Sequence, residues 1–218
     1  PRKLQFTSIP VYGGFHLDFR TISTEVLVIG GGVAGLRAAV AAAELGTEVA
    51  IVSKPSCASP EIMGFNAPVM PGDSKELYFS DIEQSGYGIN DSRLAMVLSE
   101  HVLDEVTYLE GLGLEFDRDA EGRYLPIHTL GTAYPRLIKT GVSSGSAEMR
   151  ILKTRCGELG VKQYAPVDIL GLLVSRGHVL GAYGLDLGSG ELLRFTASAV
   201  VLATGGCGAM QSFSTYPK

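Results

Sequence analysis

Residues 25–52 constrain this chain more than any other stretch. Glu25-Val-Leu-Val-Ile29 is a short aliphatic, β-branched run, the pattern of a strand buried on both faces in a parallel sheet. Gly30-Gly31-Gly32-Val33-Ala34-Gly35 follows at once, and Leu36 to Leu45 is Ala-rich and helix-favouring until Gly46 stops it. Glu48-Val-Ala-Ile-Val52 is a second buried strand. Strand, glycine turn, helix and strand in so few residues form a βαβ unit.

The glycines have separate tasks. Gly30 allows the tight turn out of the strand, Gly32 lets backbone approach a pyrophosphate with no Cβ in the way, and Gly35 lets the helix pack close to the strand. Val33 and Ala34 fill the first helical turn, whose amides and positive dipole end face the phosphates. A G-x-G-x-x-G alone is weak, but this one follows a strand and opens a helix. The second strand should end in an acid that hydrogen-bonds a ribose, yet it ends Val52-Ser53-Lys54. That departure counts against NAD. It leaves Ser53 as a weaker ribose partner and Lys54 beside the adenine or a phosphate, with a solvated surface charge as the plainer account of Lys54.

The remaining chain is read more coarsely. Residues 1–23 are an irregular N-terminal extension with room for one short strand. Residues 53–73 hold Pro55, Pro60, Gly64, Pro68, Pro71 and Gly72 and form a long loop, a kind that is usually functional in a compact domain. Ser74 to Ser85 is helical. A second helix starts at Asn90 or Asp91 and runs to about Gly111, with Leu94, Leu98, Val102, Val106 and Leu109 along one face. Residues 113–142 are turn-rich. Another helix follows Ser143-Ser144, with Met149, Leu152, Cys156 and Leu159 on one face and Gly160 as its stop. The period then changes to two. Ile169–Ser175, Val179–Asp186 and Leu192–Thr196, separated by Arg176-Gly177-His178 and Gly188-Ser189-Gly190, form a three-stranded antiparallel meander. Ala199-Val-Val-Leu-Ala203 is a last apolar strand, ahead of Thr204-Gly205-Gly206.

Composition excludes several classes. With 218 residues, 45% of them hydrophobic, the chain can bury a sizeable core. A net charge of −5 and no long Lys/Arg run argue against nucleic acid. Cys57, Cys156 and Cys207 lie far apart with no CxxC pair, which argues against a metal or iron–sulfur site and fits a reducing cytoplasm. Pro1 reads as a start left by removal of an initiator Met, and no signal-peptide pattern or 18-residue apolar run is present, so no membrane span is expected.

Taken together, Gly35-Leu-Arg-Ala-Ala, the strand ending Val-Ser-Lys, the meander, and Val200-Val-Leu-Ala-Thr-Gly-Gly206 resemble the fumarate reductase / succinate dehydrogenase flavoprotein family, which includes L-aspartate oxidase and the adenylylsulfate reductase flavoprotein. Asn90-Asp-Ser-Arg-Leu and Leu109-Glu-Gly-Leu-Gly-Leu-Glu-Phe-Asp-Arg118 agree with it. The resemblance implies an α/β fold: a three-layer, Rossmann-like FAD domain over residues 24–218, with a parallel sheet and the meander inserted at about 167–197. It implies that Ala203, Thr204, Gly205 and Gly206 return backbone groups to the flavin. By the same likeness, Ser59, Gly64 and Asn66 lie in the segment that wraps the isoalloxazine, and Pro166, in Tyr164-Ala-Pro-Val-Asp168, lies on the strand that touches the adenine.

The sequence departs from the family at several places. Relatives with covalent flavin carry a His after the second strand, but this chain reads Ser56-Cys57-Ala58-Ser59-Pro60. Noncovalent FAD is therefore expected, which in the family favours fumarate-type reduction or an oxidase reaction. The family's G-G-H-S-x-x-R becomes Leu130-Gly131-Thr132-Ala133-Tyr134-Pro135-Arg136, which keeps the Arg and loses the His, while His128 reads as structural. Its D-x-T-G becomes Val142-Ser143-Ser144-Gly145. The resemblance places the dicarboxylate-binding and proton-delivering residues beyond Lys218, in a capping domain, so no catalytic residue is assigned. Cys57 and Cys207 flank presumed flavin contacts and read as small buried thiols. Two functions stay open: the FAD-binding part of an oxidoreductase acting on a small dicarboxylate, or a non-catalytic flavin-binding or assembly subunit. Either would be completed by a second chain that supplies the cap and C-terminal flavin contacts, or would work with an electron-transfer subunit. The long two-helix insert at 74–112 and the A-T-G-G ending argue against a thiazole-synthase-like enzyme.

Overall fold

Aliphatic runs such as Val26–Ile29 and Val49–Val52 form strands, and apolar residues that recur every three or four, as in Ser92–Gly111, form helices. In chain order these are β1 (Ser8–Val11), β2 (Phe15–Asp18), β3 (Arg20–Ser23), β4 (Val26–Ile29), α1 (Val33–Glu44), β5 (Val49–Val52), β6 (Phe65–Asn66), α2 (Lys75–Gly86) and α3 (Ser92–Gly111). They continue with β7 (Leu137–Ile138), α4 (Ser144–Glu158), β8 (Lys162–Tyr164), β9 (Val167–Ser175), β10 (His178–Asp186), β11 (Leu192–Thr196) and β12 (Ala199–Leu202). This computed structural model describes residues 8–11, 15–141 and 143–214. Pro1, Gly13, Gly14, Val142 and residues 215–218 lie outside the described residues. The chain divides into two units, Pro1–Ala58 with Leu152–Lys218, and Ser59–Ile151.

The first unit is built on a parallel sheet in the order β12-β4-β5-β8. Its pleat sends alternate side chains to opposite faces. Leu27, Ile29, Ala50 and Val52 share a core with Val167, Ala182, Leu193 and Phe195 of the antiparallel strands. Val28 and Ile51 are buried on the other pleat, where α1 contributes Leu36, Ala39 and Val40. The result is three layers. Each fully buried Leu, Val, Ile or Phe contributes about 1.5–3 kcal/mol. That exceeds the few tenths of a kcal/mol separating most helix propensities, so two-sided burial rather than local preference fixes the layers. The last turns of α4 run beside α1: Cys156 Sγ lies 3.8 Å from the Leu36 carbonyl oxygen, and Arg155 pairs with Glu44 at 3.0 Å.

The meander is present as β9, β10 and β11, and β3 extends it in parallel against β11. The N-terminal extension thus contributes three strands rather than one, since β1 and β2 also pair as a hairpin. The β9–β10 turn places Arg176 at φ 50° and Gly177 at φ 78°, the primed geometry that matches strand twist.

In the second unit, Ser74 caps α2 by accepting from the Leu77 amide at 3.2 Å, and Asp91 caps α3 by accepting from the Arg93 amide at 2.9 Å. The buried stripe of α3 is Ala95, Ser99, Val102, Val106 and Leu109. Leu94 and Leu98, expected on that face, are 69% and 48% exposed. A strict 3.5-residue repeat carried back from Val102 meets Ser99 and Ala95 instead. The turn-rich stretch contains β7, antiparallel to β6. Among the described residues no helix is long and apolar enough to cross a membrane.

Candidate functional site

The glycine turn lies where the sheet reverses its order. From β4 the chain adds β5 and then β8 outward on one side, and it returns to place β12 on the other. Ligands of open α/β sheets bind at such a switch point, outside the carboxyl ends of the strands. Gly30 stands there at φ 121°, and its amide donates to the Val52 carbonyl at 2.8 Å. A Cβ on Gly30 would lie 2.1 Å from the Ala203 carbonyl oxygen. One on Gly31 would lie 2.7 Å from Ser53 Oγ, and one on Gly35 would lie 1.8 Å from the Gly30 carbonyl oxygen. The ends of β12, β4 and β5 therefore close on the glycine turn, with no room for a side chain at 30, 31 or 35.

Gly32 is the N-cap of α1, extended at φ −77° and ψ −179°, with no side-chain cap and no acid in the first turn. Val33 and Ala34 open the helix, and Gly35 is buried beneath it. This helix end carries partial positive charge with no acid in its first turn to neutralise it. A diphosphate fits such a cradle because it needs amides at close range and nothing larger.

Ser53 and Lys54 follow β5. The Ser53 amide donates to the Tyr164 carbonyl at 3.0 Å, and its carbonyl accepts from the Val167 amide at 2.9 Å. Lys54 Nζ is 3.0 Å from Asp168 Oδ1. Pro166 lies between β8 and β9, and its carbonyl accepts from Leu187 at 2.9 Å. Ala203 is half-buried, with its amide bonded to the Ile29 carbonyl at 2.8 Å, and Thr204, Gly205 and Gly206 are exposed beyond it. Glycine at 205 suits its φ of 73°, which side chains rarely adopt.

Ser59, Gly64 and Asn66 belong to the second unit. The Ser59 carbonyl is so close to α4 that a Cβ on Gly145 would lie 1.8 Å from it, and a Cβ on Gly64 would lie 2.2 Å from the Ile138 carbonyl oxygen. The intervening loop is tied down by the Gly145 amide donating to Ile62 at 2.9 Å and by Ser144 Oγ donating to Met63 at 2.7 Å. Asn66 Oδ1 is buried with no hydrogen-bond partner among the described residues. A buried acceptor of that kind is costly without a donor, and a ligand N–H would supply one.

Arg136, kept from the family's motif, is wholly buried. Its Nε and Nη2 each donate to Asp73 at 2.7 Å, and Nη1 donates to Asp81. Burial pushes the Asp81 carboxyl up, but the Ala133 amide and Arg136 outweigh this and hold it below the usual carboxylate range. The His128 Nε2 contact stays within its own loop, 2.7 Å from the Thr132 carbonyl oxygen. Asp73 and Asp81 were invisible as partners, because a turn and a helix face give no pattern linking them to position 136. None of the three cysteines forms a disulfide. Cys57 is half-buried and Cys207 exposed, so neither is the small buried thiol expected of it, whereas Cys156 is buried. Among the described residues no three His, Cys, Asp or Glu side chains group as metal ligands.

Residues 25–217 match the family model for the FAD binding domain. A CoM/CoB-type fumarate reductase polypeptide of Methanothermobacter marburgensis is 35% identical over 192 residues, covering 84% of this chain and 35% of that protein. The L-aspartate oxidase of Pyrococcus abyssi is 30% identical, covering 90% of this chain and 40% of that protein. A solved quinol fumarate reductase of Escherichia coli superposes with a TM-score of 0.86 at 27% identity, over 91% of this chain and 35% of that one. The Sdh1 complex of Mycobacterium smegmatis gives 0.84 at 32% identity, over 91% and 37%. This chain thus spans a little over a third of the proteins it resembles.

Proposed function

Because the chain belongs to the family of FAD binding domains, we propose that it holds FAD noncovalently as the cofactor-binding portion of a fumarate reductase / succinate dehydrogenase-type oxidoreductase. The observation that carries this reading is the cradle in which Gly30, Gly31 and Gly35 close on Ala203 and Ser53 beside an uncapped helix end. Bound FAD supplies hydride exchange at its N5. In this reading the amides at 32–35 hold the diphosphate, Ser53 and Lys54 meet the adenosine half, Pro166 borders the adenine, and residues 203–206 return backbone to the flavin. Ser59, Gly64 and Asn66 serve the ring, with Asn66 Oδ1 as the acceptor awaiting a donor. The loop after β5 carries no His for a covalent link.

The substrate is a small dicarboxylate, as the names of the relatives suggest, and the groups that bind it come from outside these 218 residues. Arg136 and His128 are engaged internally, which supports leaving them out of that role. A second polypeptide segment covers the flavin, or an electron-transfer subunit docks here. The edge strand β12, with Leu202 61% exposed, and the following Met210 and Phe213, 83% and 88% exposed, support such a cover. The work is done in the cytoplasm.

Reconstitution tests this reading. The chain incubated with FAD and desalted is expected to be yellow and to release its flavin into the supernatant on acid precipitation. A preparation that stays colourless after reconstitution refutes flavin binding, and flavin that remains with the acid pellet refutes the noncovalent link.

A further inference from the structure

We propose that Asp168 is a positioning residue for the cofactor: its carboxylate holds the Lys54 ammonium in place beside the adenosine and diphosphate. This rests on the reading that FAD lies across Ser53 and Lys54. The two residues are far apart in sequence and come together by topology. Lys54 leaves the end of β5, and Asp168 is the second residue of β9. Ser53 accepts from the Val167 amide at 2.9 Å, which clamps the two strand ends together. Asp168 is further fixed by its pairing with Leu185 of β10. Lys54 Nζ then sits 3.0 Å from Asp168 Oδ1.

The pair has little to do for the fold. Lys54 is 61% exposed and Asp168 33%, and pairs this exposed add little to stability. A lysine on a four-carbon stem otherwise samples many rotamers, and ordering it on binding weakens affinity. Asp168 orders it beforehand. Ser53, the residue before Lys54, has its Oγ against Gly31, so the chain that leads into Lys54 passes beside the glycine turn.

Two effects of Asp168 oppose each other, and this makes the inference testable by sign. A bare carboxylate near a diphosphate repels it, so simple electrostatics predicts tighter FAD binding when Asp168 is neutralised. Positioning predicts weaker binding. FAD titrations of the full chain, followed by flavin fluorescence quenching, are made for the wild type, Asp168→Asn, Lys54→Met and the double variant, with the Tm of each apoprotein. The expected result is that Asp168→Asn raises the Kd for FAD about three- to tenfold, leaves the apo Tm within a few degrees, and has no weakening effect once Lys54 is Met. An unchanged or lowered Kd in Asp168→Asn, while Lys54→Met binds weakly, overturns the positioning role alone. Equal weakening by Asp168→Asn with Lys54 present or absent also overturns it, because the effect would then be structural. An unchanged Kd in Lys54→Met overturns the underlying placement of Lys54.

Discussion

A Cβ at position 35 would lie 1.8 Å from the carbonyl oxygen of Gly30, so helix α1 rests on the backbone of the strand end it leaves. That oxygen belongs to the main chain and has no rotamer to yield. Gly35→Ala must push α1 off β4, and overpacking of this kind costs about 3 kcal/mol. FAD affinity should fall with it, because the amides of 32–35 move as a unit. Gly157→Ala is the matching control: nothing lies within 4 Å of a Cβ there, and in a helix the change should stabilise by about 0.5 kcal/mol. Thermal melts and FAD titrations of both variants check the pair.

This contact explains why the glycine turn was legible in the sequence. Each glycine answers a local need, a positive φ at Gly30 or a close approach at Gly35, and local needs leave a motif. Strands β4, β5 and β9–β12 were legible for the same reason, since burial on one or two faces imposes its own period. What the sequence hid is non-local. Strand β8 has three residues and exists because β5 offers it an edge. Strand β3 is placed by β11, about 170 residues downstream. The sequence shows Lys54 as a charge at the end of β5, but its partner Asp168 depends on how β8 and β9 follow β5, which no spacing records.

Arg136 and Asp73 form a bidentate pair with both side chains at zero exposure, and Asp81 completes the cluster. Arg136→Met leaves two carboxylates without their cation, each with a single backbone amide, of Ser74 or Ala133, to hold it. Breaking a buried pair costs about 3–5 kcal/mol, so the Tm should drop by about 10 °C. Arg136→Lys keeps the charge but cannot grip both oxygens of Asp73 while reaching Asp81, and it should fall between the two. A melt of Arg136→Met within 2 °C of wild type would contradict this account of the cluster.

Thiol chemistry should separate the cysteines. Burial pushes the Cys156 thiol up to about 11, where almost no thiolate exists at neutral pH. Cys207 is exposed and Cys57 half-buried. A disulfide reagent such as Ellman's should modify Cys207 fastest, Cys57 more slowly, and Cys156 only as the protein unfolds. If bound FAD covers the ends of β5 and β12, it should slow Cys57 and Cys207 and leave Cys156 unchanged. Mass spectrometry of modified peptides with and without FAD reads this directly.

Glu148 on α4 is 4% exposed, and its Oε1 has no hydrogen-bond partner among the described residues. Burial, with a smaller contribution from Glu105 on α3, raises its carboxyl from 4.5 to about 7. An acid whose folded value is raised keeps its proton in the native state after the unfolded chain has lost it. Stability therefore falls as pH rises from about 4.5 to about 7 and is flat above. The loss is on the order of 3 kcal/mol, at 1.36 kcal/mol per pH unit. Below this window the sign reverses, because Asp81 is held low and its stabilisation disappears as acid protonates it. Stability should thus peak near the foot of the Glu148 window. Glu148→Gln keeps the shape and removes the charge, so it should raise stability at pH 7.5, change little at pH 4.5, and abolish the decline between. Denaturant melts of both proteins across that range decide it: a decline that persists in Glu148→Gln assigns the pH dependence to another group.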